Sequence, residues 1–120
     1  MLEGNVWSLK EILTQNPISL GESIKRIPIS EEEHFTVFLL QAQPNQCPYL
    51  HIHENHDELV YIIEGEGQFV IGDATKKVKP GDLLFFPKGT IHGPNIPMKG
   101  VRLSIYIPYF DPQKPDRKEV

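Results

Sequence analysis

The stretch HIHENHDELVYIIEGEG, residues 51–67, places three histidines and three carboxylates directly before an apolar run. That run, residues 59–63, has the length and composition of a buried strand. Ionisable groups beside a buried strand are costly unless a partner compensates them. Successive side chains of a strand alternate between its faces, so His51 and His53 share one face and can bind a single ion together.

Glu58 begins the apolar strand, and residues 54–57 before it have the composition of a turn. We expect a hairpin here, which would bring Glu58 beside His51 and His53. The spacing is H-x-H, four residues, Glu, six residues, Gly. The GEG sequence at residues 65–67 joins two predicted strands, so we interpret it as a hairpin rather than a phosphate-binding loop.

A second group of residues lies in GDLLFFPKGTIHGPN, residues 81–95. Pro87 and Gly89 bound a tight turn, which delivers His92 at the start of a strand. From Gly81, the spacing is five residues to Pro87, one to Gly89, two to His92 and two to Asn95.

The two groups together resemble the two signature motifs of the cupin superfamily. The resemblance covers residues 45–95 and implies a cupin jelly-roll β-barrel, an all-β fold. It also implies four metal ligands. Three come from the first motif, His51, His53 and Glu58, and the fourth, His92, comes from the second. The first motif departs from the family pattern at its initial glycine, where this chain has Asn45. The departure is mild, because asparagine tolerates the left-handed conformation better than most residues.

Three imidazoles and one carboxylate form a donor set that suits Fe, Mn, Ni, Co or Zn. We therefore expect one divalent transition metal per chain. Four protein ligands on an octahedral ion leave two positions open for water, dioxygen or a chelating substrate.

The rest of the chain predicts one short helix followed by strands. Ser8 and Glu11 form a capping box, and Pro17 ends the helix that follows, over residues 8–15. Eight or so short strands separated by turns are typical of a sandwich or barrel. We divide the chain into an N-terminal helix and arm at 1–20, the barrel at 21–110 and a charged tail at 111–120. The tail is expected to be a mobile end or an arm on a partner subunit.

Composition limits the partners. The 120 residues carry a formal net charge of −4, which argues against nucleic acid as a partner. No segment has the length of a membrane span, and no signal peptide is visible, so a cytoplasmic location is expected. Cys47 is the one cysteine, which precludes an intrachain disulfide. Exposed sheet edges favour a homodimer, which the resemblance to small cupins also implies.

The pocket wall is expected to come from inward residues of the barrel strands, and the ligand is expected to be a small molecule. Arg102 could anchor a carboxylate or phosphate, although a solvated strand charge is its ordinary role. His56 is expected at a solvent-exposed turn position, with a role beside the metal ligands or with the substrate as the alternative. His56 and Tyr49 are also the two candidates for a catalytic base. The predicted pocket residues are Phe38, Leu40, Tyr49, Val60, Ile62, Phe86 and Tyr106.

Three functions remain open from the sequence. The first, which we favour from the sequence, is a metal-dependent enzyme of the dioxygenase type that acts on or binds a small chelating molecule. The second is a non-redox enzyme, such as a sugar or keto-enol isomerase, in which the ion polarises a carbonyl. The third is a metal-containing module that binds a ligand without turnover.

Overall fold

The computed structural model describes residues 2–43, 50–95 and 99–120. Its first element is the predicted helix, α1, over Leu9–Gln15. The Ser8 side chain accepts a hydrogen bond from the Glu11 backbone N–H, as the capping box predicts. Within the described ranges, no helix is long and apolar enough to cross a membrane.

The strands form two five-stranded antiparallel sheets, in the orders β1-β2-β9-β4-β7 and β10-β3-β8-β5-β6. Two facing sheets of this kind confirm the predicted jelly roll. The strands are β1 Ile24–Glu31, β2 Thr36–Ala42, β3 His51–Ile52, β4 Asp57–Glu64, β5 Gly67–Ile71, β6 Ala74–Val78, β7 Leu83–Phe86, β8 His92–Pro94, β9 Gly100–Ile107 and β10 Lys118–Glu119.

The core between the sheets is filled by the inward residues of strands from both sheets. Side chains along β4 and β7 alternate between the two faces of the sheet, so every second side chain points inward and is buried. The inward cluster consists of Val60, Ile62, Phe69, Val78, Leu84 and Phe86.

A second apolar cluster lies where α1 packs on the first sheet. Ile12 from α1 contacts a group that includes Leu39 and Val101, and Trp7 and Leu13 pack against its edge. The helix therefore covers part of the outer face of this sheet and leaves the opposite, inner face to the pocket.

Two predicted hairpins are wrong in the same way. β3 and β4 belong to different sheets, and so do β4 and β5 on either side of the GEG sequence. Both connections carry the chain from one sheet to the other. Gly65 makes the second crossing possible, because its φ is 95° and a Cβ there would lie 2.3 Å from the Lys99 backbone oxygen.

The charged tail was expected to be a mobile end or an arm on a partner. It instead returns to its own barrel, where Lys118 and Glu119 pair with Ile52 and His51. The Val120 backbone N–H also donates to the Leu50 carbonyl, at 3.2 Å. These contacts place the C-terminal residues beside the histidine-bearing strand.

Candidate metal centre

Three of the predicted ligands meet at one point inside the barrel. His51 on β3 and His92 on β8 are direct cross-strand partners, and His53 follows two residues after His51. One nitrogen from each of the three rings lies within 4.8 Å of the others. All three side chains are buried, His53 and His92 with 3% of their surface exposed. The strand alternation that predicted a shared face for His51 and His53 therefore describes the structure.

Glu58 reaches the same point from the opposite sheet. Its Oε1 atom lies 3.2 Å from Nε2 of His53 and 3.2 Å from Nε2 of His92. The sequence predicted this proximity through a β3–β4 hairpin. The structure achieves it differently, because inward alternation along β4 directs Glu58 across the barrel interior.

Hydrogen bonds outside the cluster orient two of the rings. Nδ1 of His92 lies 3.0 Å from the Thr90 carbonyl, and Nδ1 of His53 contacts the Asp116 carbonyl. A carbonyl only accepts, so each Nδ1 carries a hydrogen, and Nε2 is the nitrogen that each ring directs inward.

The inward Nε2 atoms create a site that suits a cation. Nε2 of His53 is buried, and although Glu58 Oε1 lies 3.2 Å away, the nitrogen forms no hydrogen bond of good geometry in the described part of the chain. A buried polar nitrogen without a donor is costly, and an ion among the three rings would satisfy it. The residues present therefore fit a divalent metal, by burial and by donor chemistry.

Glu58 supplies negative charge to this site. Burial acts to raise the pKa of Glu58, but the contacts with His53 and His92 outweigh burial and hold the pKa well below its usual range. The carboxylate is therefore ionised, and its charge compensates part of the charge of a bound ion.

Aromatic side chains hold the rings in place. Phe86 stacks on His92 with ring centroids 4.2 Å apart and an interplanar angle of 12°. Tyr106 meets His53 edge to face at 5.2 Å, and Phe110 stacks behind Tyr106 at 4.0 Å. Packing of this kind fixes ligand geometry before any ion binds.

A pocket of about 520 Å³ opens beside the cluster. Four of the predicted wall residues line it: Leu40, Val60, Phe86 and Tyr106. The remaining predictions differ in outcome. Phe38 lies behind Tyr106 and lines a smaller cavity next to His53, while Ile62 is part of the core. Tyr49 lies outside the described residues, as do Asn45 and Cys47.

Sequence reasoning considered Arg102 as a carboxylate or phosphate anchor but missed two further cations of this pocket. Arg26, Arg102 and Arg117 all line it. Arg102, whose ordinary role was a solvated strand charge, is half-buried, with its guanidinium 5.4 Å from the centre of the Phe69 ring. Burial lowers the pKa of Arg102, and neither Arg26 nor Arg102 forms an ion pair with another described residue. The sequence could have indicated this position of Arg102. Arg102 and Tyr106 stand an even number of residues apart on one strand and therefore share a face, and Tyr106 was predicted in the pocket wall.

His56 does not occupy the position expected of it. A solvent-exposed turn position was predicted, but only 12% of the side-chain surface is accessible, which favours the alternative role beside the metal ligands. Nδ1 lies 2.7 Å from an Asp116 carboxylate oxygen, and Nε2 lies 2.7 Å from the Tyr109 carbonyl. Both nitrogens face acceptors in the C-terminal segment, so the ring is held there and not in the pocket.

Comparison with known proteins agrees with this architecture. A family model described as a cupin domain matches residues 38–105. A protein of Aquifex aeolicus (strain VF5) is 31% identical over 100 residues, which cover 82% of this chain and 81% of that protein.

Two further matches extend the comparison. Pectin degradation protein KdgF of Dickeya dadantii (strain 3937) is 27% identical over 97 residues, covering 81% of this chain and 86% of that protein. The crystal structure of a protein with a double-stranded β-helix domain from Klebsiella pneumoniae superposes with a TM-score of 0.75 at 22% identity, covering 98% of each chain. At that identity the structural likeness concerns the fold.

Proposed function

The chain belongs to the cupin domain family, and from that premise we propose that it is a metal-dependent enzyme acting on a small hydroxylated carboxylate. One observation carries the proposal: three histidines that can hold an ion and three arginines line or adjoin a single pocket. The ion site would bind a chelating oxygen, and the arginines would bind the negative charge of the same molecule.

The proposed ligands are His51, His53 and His92, with Glu58 as the fourth donor. A divalent ion held there would supply Lewis-acid polarisation of a carbonyl or hydroxyl oxygen. The protein residues fix the rings through the Thr90 and Asp116 carbonyls and through the Phe86 stack. Such outer contacts keep the donors in position while a substrate enters.

The arginines define the charge of the substrate. Arg102 is held against Phe69 in the pocket, and a half-buried guanidinium without an ion-pair partner among the described residues favours an anionic ligand. A planar carboxylate matches the paired donors of a guanidinium. The net charge of the whole chain is −4, so the positive pocket is a local feature and not a general property of the surface.

Tyr106 would contribute a hydrogen-bond donor. Its ring lines the pocket beside His53. Burial raises the pKa of Tyr106, and the Glu58 charge adds to the effect, so the phenol keeps its proton at neutral pH. A phenol in this state can donate to a substrate oxygen but cannot serve as the base.

A sugar acid is the substrate class that we favour. The relative from Dickeya dadantii is a pectin degradation protein, and pectin is an acidic polysaccharide whose fragments are carboxylated sugars. A non-redox rearrangement of such a molecule needs no co-substrate, which matches a single pocket of about 520 Å³.

A dioxygenase is the second candidate. The observation in its favour is the donor set itself, because three imidazoles and a carboxylate also bind Fe(II). The dioxygenase and non-redox hypotheses differ in their need for oxygen.

The experiment is a substrate panel with the metal-free protein reconstituted separately with Mn(II), Ni(II), Zn(II) and Fe(II). The panel pairs each uronic acid with the neutral sugar of the same stereochemistry and adds catechols and keto-enols, and products are identified by mass. We expect conversion of a uronic acid without oxygen and no conversion of its neutral partner. Oxygen-dependent turnover with Fe(II) would support the dioxygenase instead. Binding of uronic acids without product under any condition would leave a ligand-binding module.

A further inference from the structure

The C-terminal strap, defined as residues 111–120, makes its closest contacts at the metal centre. The Asp116 carbonyl accepts the hydrogen bond from Nδ1 of His53. Arg117, the next residue, lines the pocket, and its Nε donates to a Glu119 carboxylate oxygen at 2.8 Å. The strap therefore contacts a proposed ligand and contributes Arg117 to the pocket wall.

His53 depends on the strap in a way that His92 does not. His92 donates to Thr90, two residues earlier in its own turn. The partner of His53 lies 63 residues away along the chain. The hydrogen bond that orients His53 is thus supplied by tertiary structure, whereas that of His92 is local.

The Asp116 carboxylate fastens the strap to the turn that follows His53. One oxygen accepts from the Glu54 backbone N–H at 3.1 Å, and the other accepts from the Asn55 backbone N–H at 2.7 Å. Nδ1 of His56 lies 2.7 Å from the second oxygen, and its Nε2 lies 2.7 Å from the Tyr109 carbonyl. These hydrogen bonds hold the pKa of Asp116 below its usual range against the effect of burial, so the carboxylate is charged at neutral pH.

We propose that Asp116 is a positioning residue for the metal centre. Its carboxylate fixes the strap to residues 54–56, and its carbonyl thereby keeps His53 in the Nδ1–H form with Nε2 directed at the ion. The inference rests on the metal centre of the proposed function and deepens it. Loss of an outer hydrogen bond of this kind weakens metal binding by roughly 10–100-fold.

The test compares Asp116→Ala and Asp116→Asn with a matched control, Asp82→Ala, all in the full-length chain. Asp82 also fastens a turn, since its carboxylate accepts from the Lys79 backbone N–H at 2.9 Å and from Lys79 Nζ at 3.0 Å. It is not among the residues that line the pocket. Both aspartates therefore hold a turn, but only Asp116 reaches the histidine cluster.

Zinc affinity is measured by competition with a chelating dye. We expect Asp116→Ala to bind zinc about 10–100-fold more weakly and Asp82→Ala to bind it as the parent does. Asp116→Asn keeps one acceptor oxygen and should show a smaller loss. If Asp116→Ala does not fold, the asparagine variant carries the comparison.

A second readout follows the ring proton of His53 by ¹H–¹⁵N correlation in the zinc-loaded protein. In the parent, the Nδ1–H signal should be present and protected from exchange with water, and the Asp116 variants should lose that protection. Unchanged zinc affinity and an unchanged ring proton in both Asp116 variants would overturn the inference. Absence of zinc binding by the parent would instead overturn the proposed function, and the ring proton of the zinc-free protein would still test the link from Asp116 to His53.

Discussion

Glu58 and His53 meet across the barrel, with Oε1 of Glu58 lying 3.2 Å from Nε2 of His53 although the two residues come from opposite sheets. The donor set is therefore assembled only when the two sheets are in place. A metal bound to such a site binds the folded state in preference to the unfolded chain, so binding and stability are linked.

Adding a divalent ion should raise the thermal stability of the metal-free protein. At a free concentration 100-fold above Kd, the stabilisation is about 2.7 kcal/mol. For a chain of 120 residues this corresponds to an increase in Tm on the order of 10 °C. Calorimetry of metal-free samples with zinc, nickel or manganese measures the shift. An unchanged Tm with every ion would contradict the metal centre.

His92→Ala should abolish most metal binding, because it removes one donor and leaves the Glu58 carboxylate with one imidazole contact in place of two. The matched control is His34→Ala, which removes a solvent-exposed histidine outside the cluster. Elemental analysis of both purified variants gives the metal content per chain. Equal content in the two variants would show that the ion, if any, binds elsewhere.

Acidification should release the ion before the barrel unfolds. Imidazole binds metal only when neutral, and its ordinary pKa of about 6.5 is pulled down by the ion, so we expect retention at neutral pH and loss below about pH 5. Glu58 does not set this transition. Because the pKa of Glu58 is lowered in the folded protein, the ionised side chain stabilises the fold fully at pH values above the usual pKa of glutamate. This stabilisation is lost only as the pH falls through the lowered pKa of Glu58.

Cobalt absorption reports the occupied site during such a titration, and far-UV circular dichroism reports the sheets. The cobalt signal should disappear at a higher pH than the sheet signal. Metal retained through dialysis near pH 3 would argue against histidine ligation.

The parts of this site that the sequence predicted are those encoded locally. His51 and His53 stand two residues apart, and strand alternation alone places them on one face. The helix was likewise predictable, because Ser8 and Glu11 form a short-range capping signal. Arg102 could have been placed in the pocket by the same parity argument that placed Tyr106 there.

The rest depended on contacts between distant residues. The route by which Glu58 reaches the histidines requires knowing that β3 and β4 join different sheets, and turn residues do not encode that choice. The position of the strap was even harder to predict from the sequence. Its pairing with β3 involves only Lys118 and Glu119, too short and too charged to show a strand pattern. The importance of Asp116 follows from where the fold places it and not from the residues around it in the sequence.

We expect the protein to be a homodimer, as predicted from its sheet edges. The edge strand β7 exposes Leu83 and Phe85, with 66% and 51% of their surfaces accessible. Exposed apolar residues on an unpaired edge favour association with a second copy. Light scattering should give a mass twice 13.7 kDa, and Phe85→Ser should shift it toward the monomer. A parent protein that is monomeric at micromolar concentration would refute the prediction.

Arg102→Met should weaken the binding of an acidic substrate and leave the metal content unchanged. The variant keeps the apolar contact with Phe69 but removes the guanidinium that lines the pocket. A hydrogen bond to a charged group contributes about 1.5–3 kcal/mol, so KM for a uronic acid should rise roughly 10–100-fold. Arg102→Lys keeps the charge without the planar pair of donors and should give an intermediate KM.

Lys76→Met is the matched control, because it removes an exposed cation on β6. Calorimetric titration of the zinc-loaded variants separates binding from turnover, and a reduced preference of Arg102→Met for the acid over its neutral partner sugar is the expected signature. If Arg102→Met binds the acid as tightly as the parent, the arginine does not select the substrate.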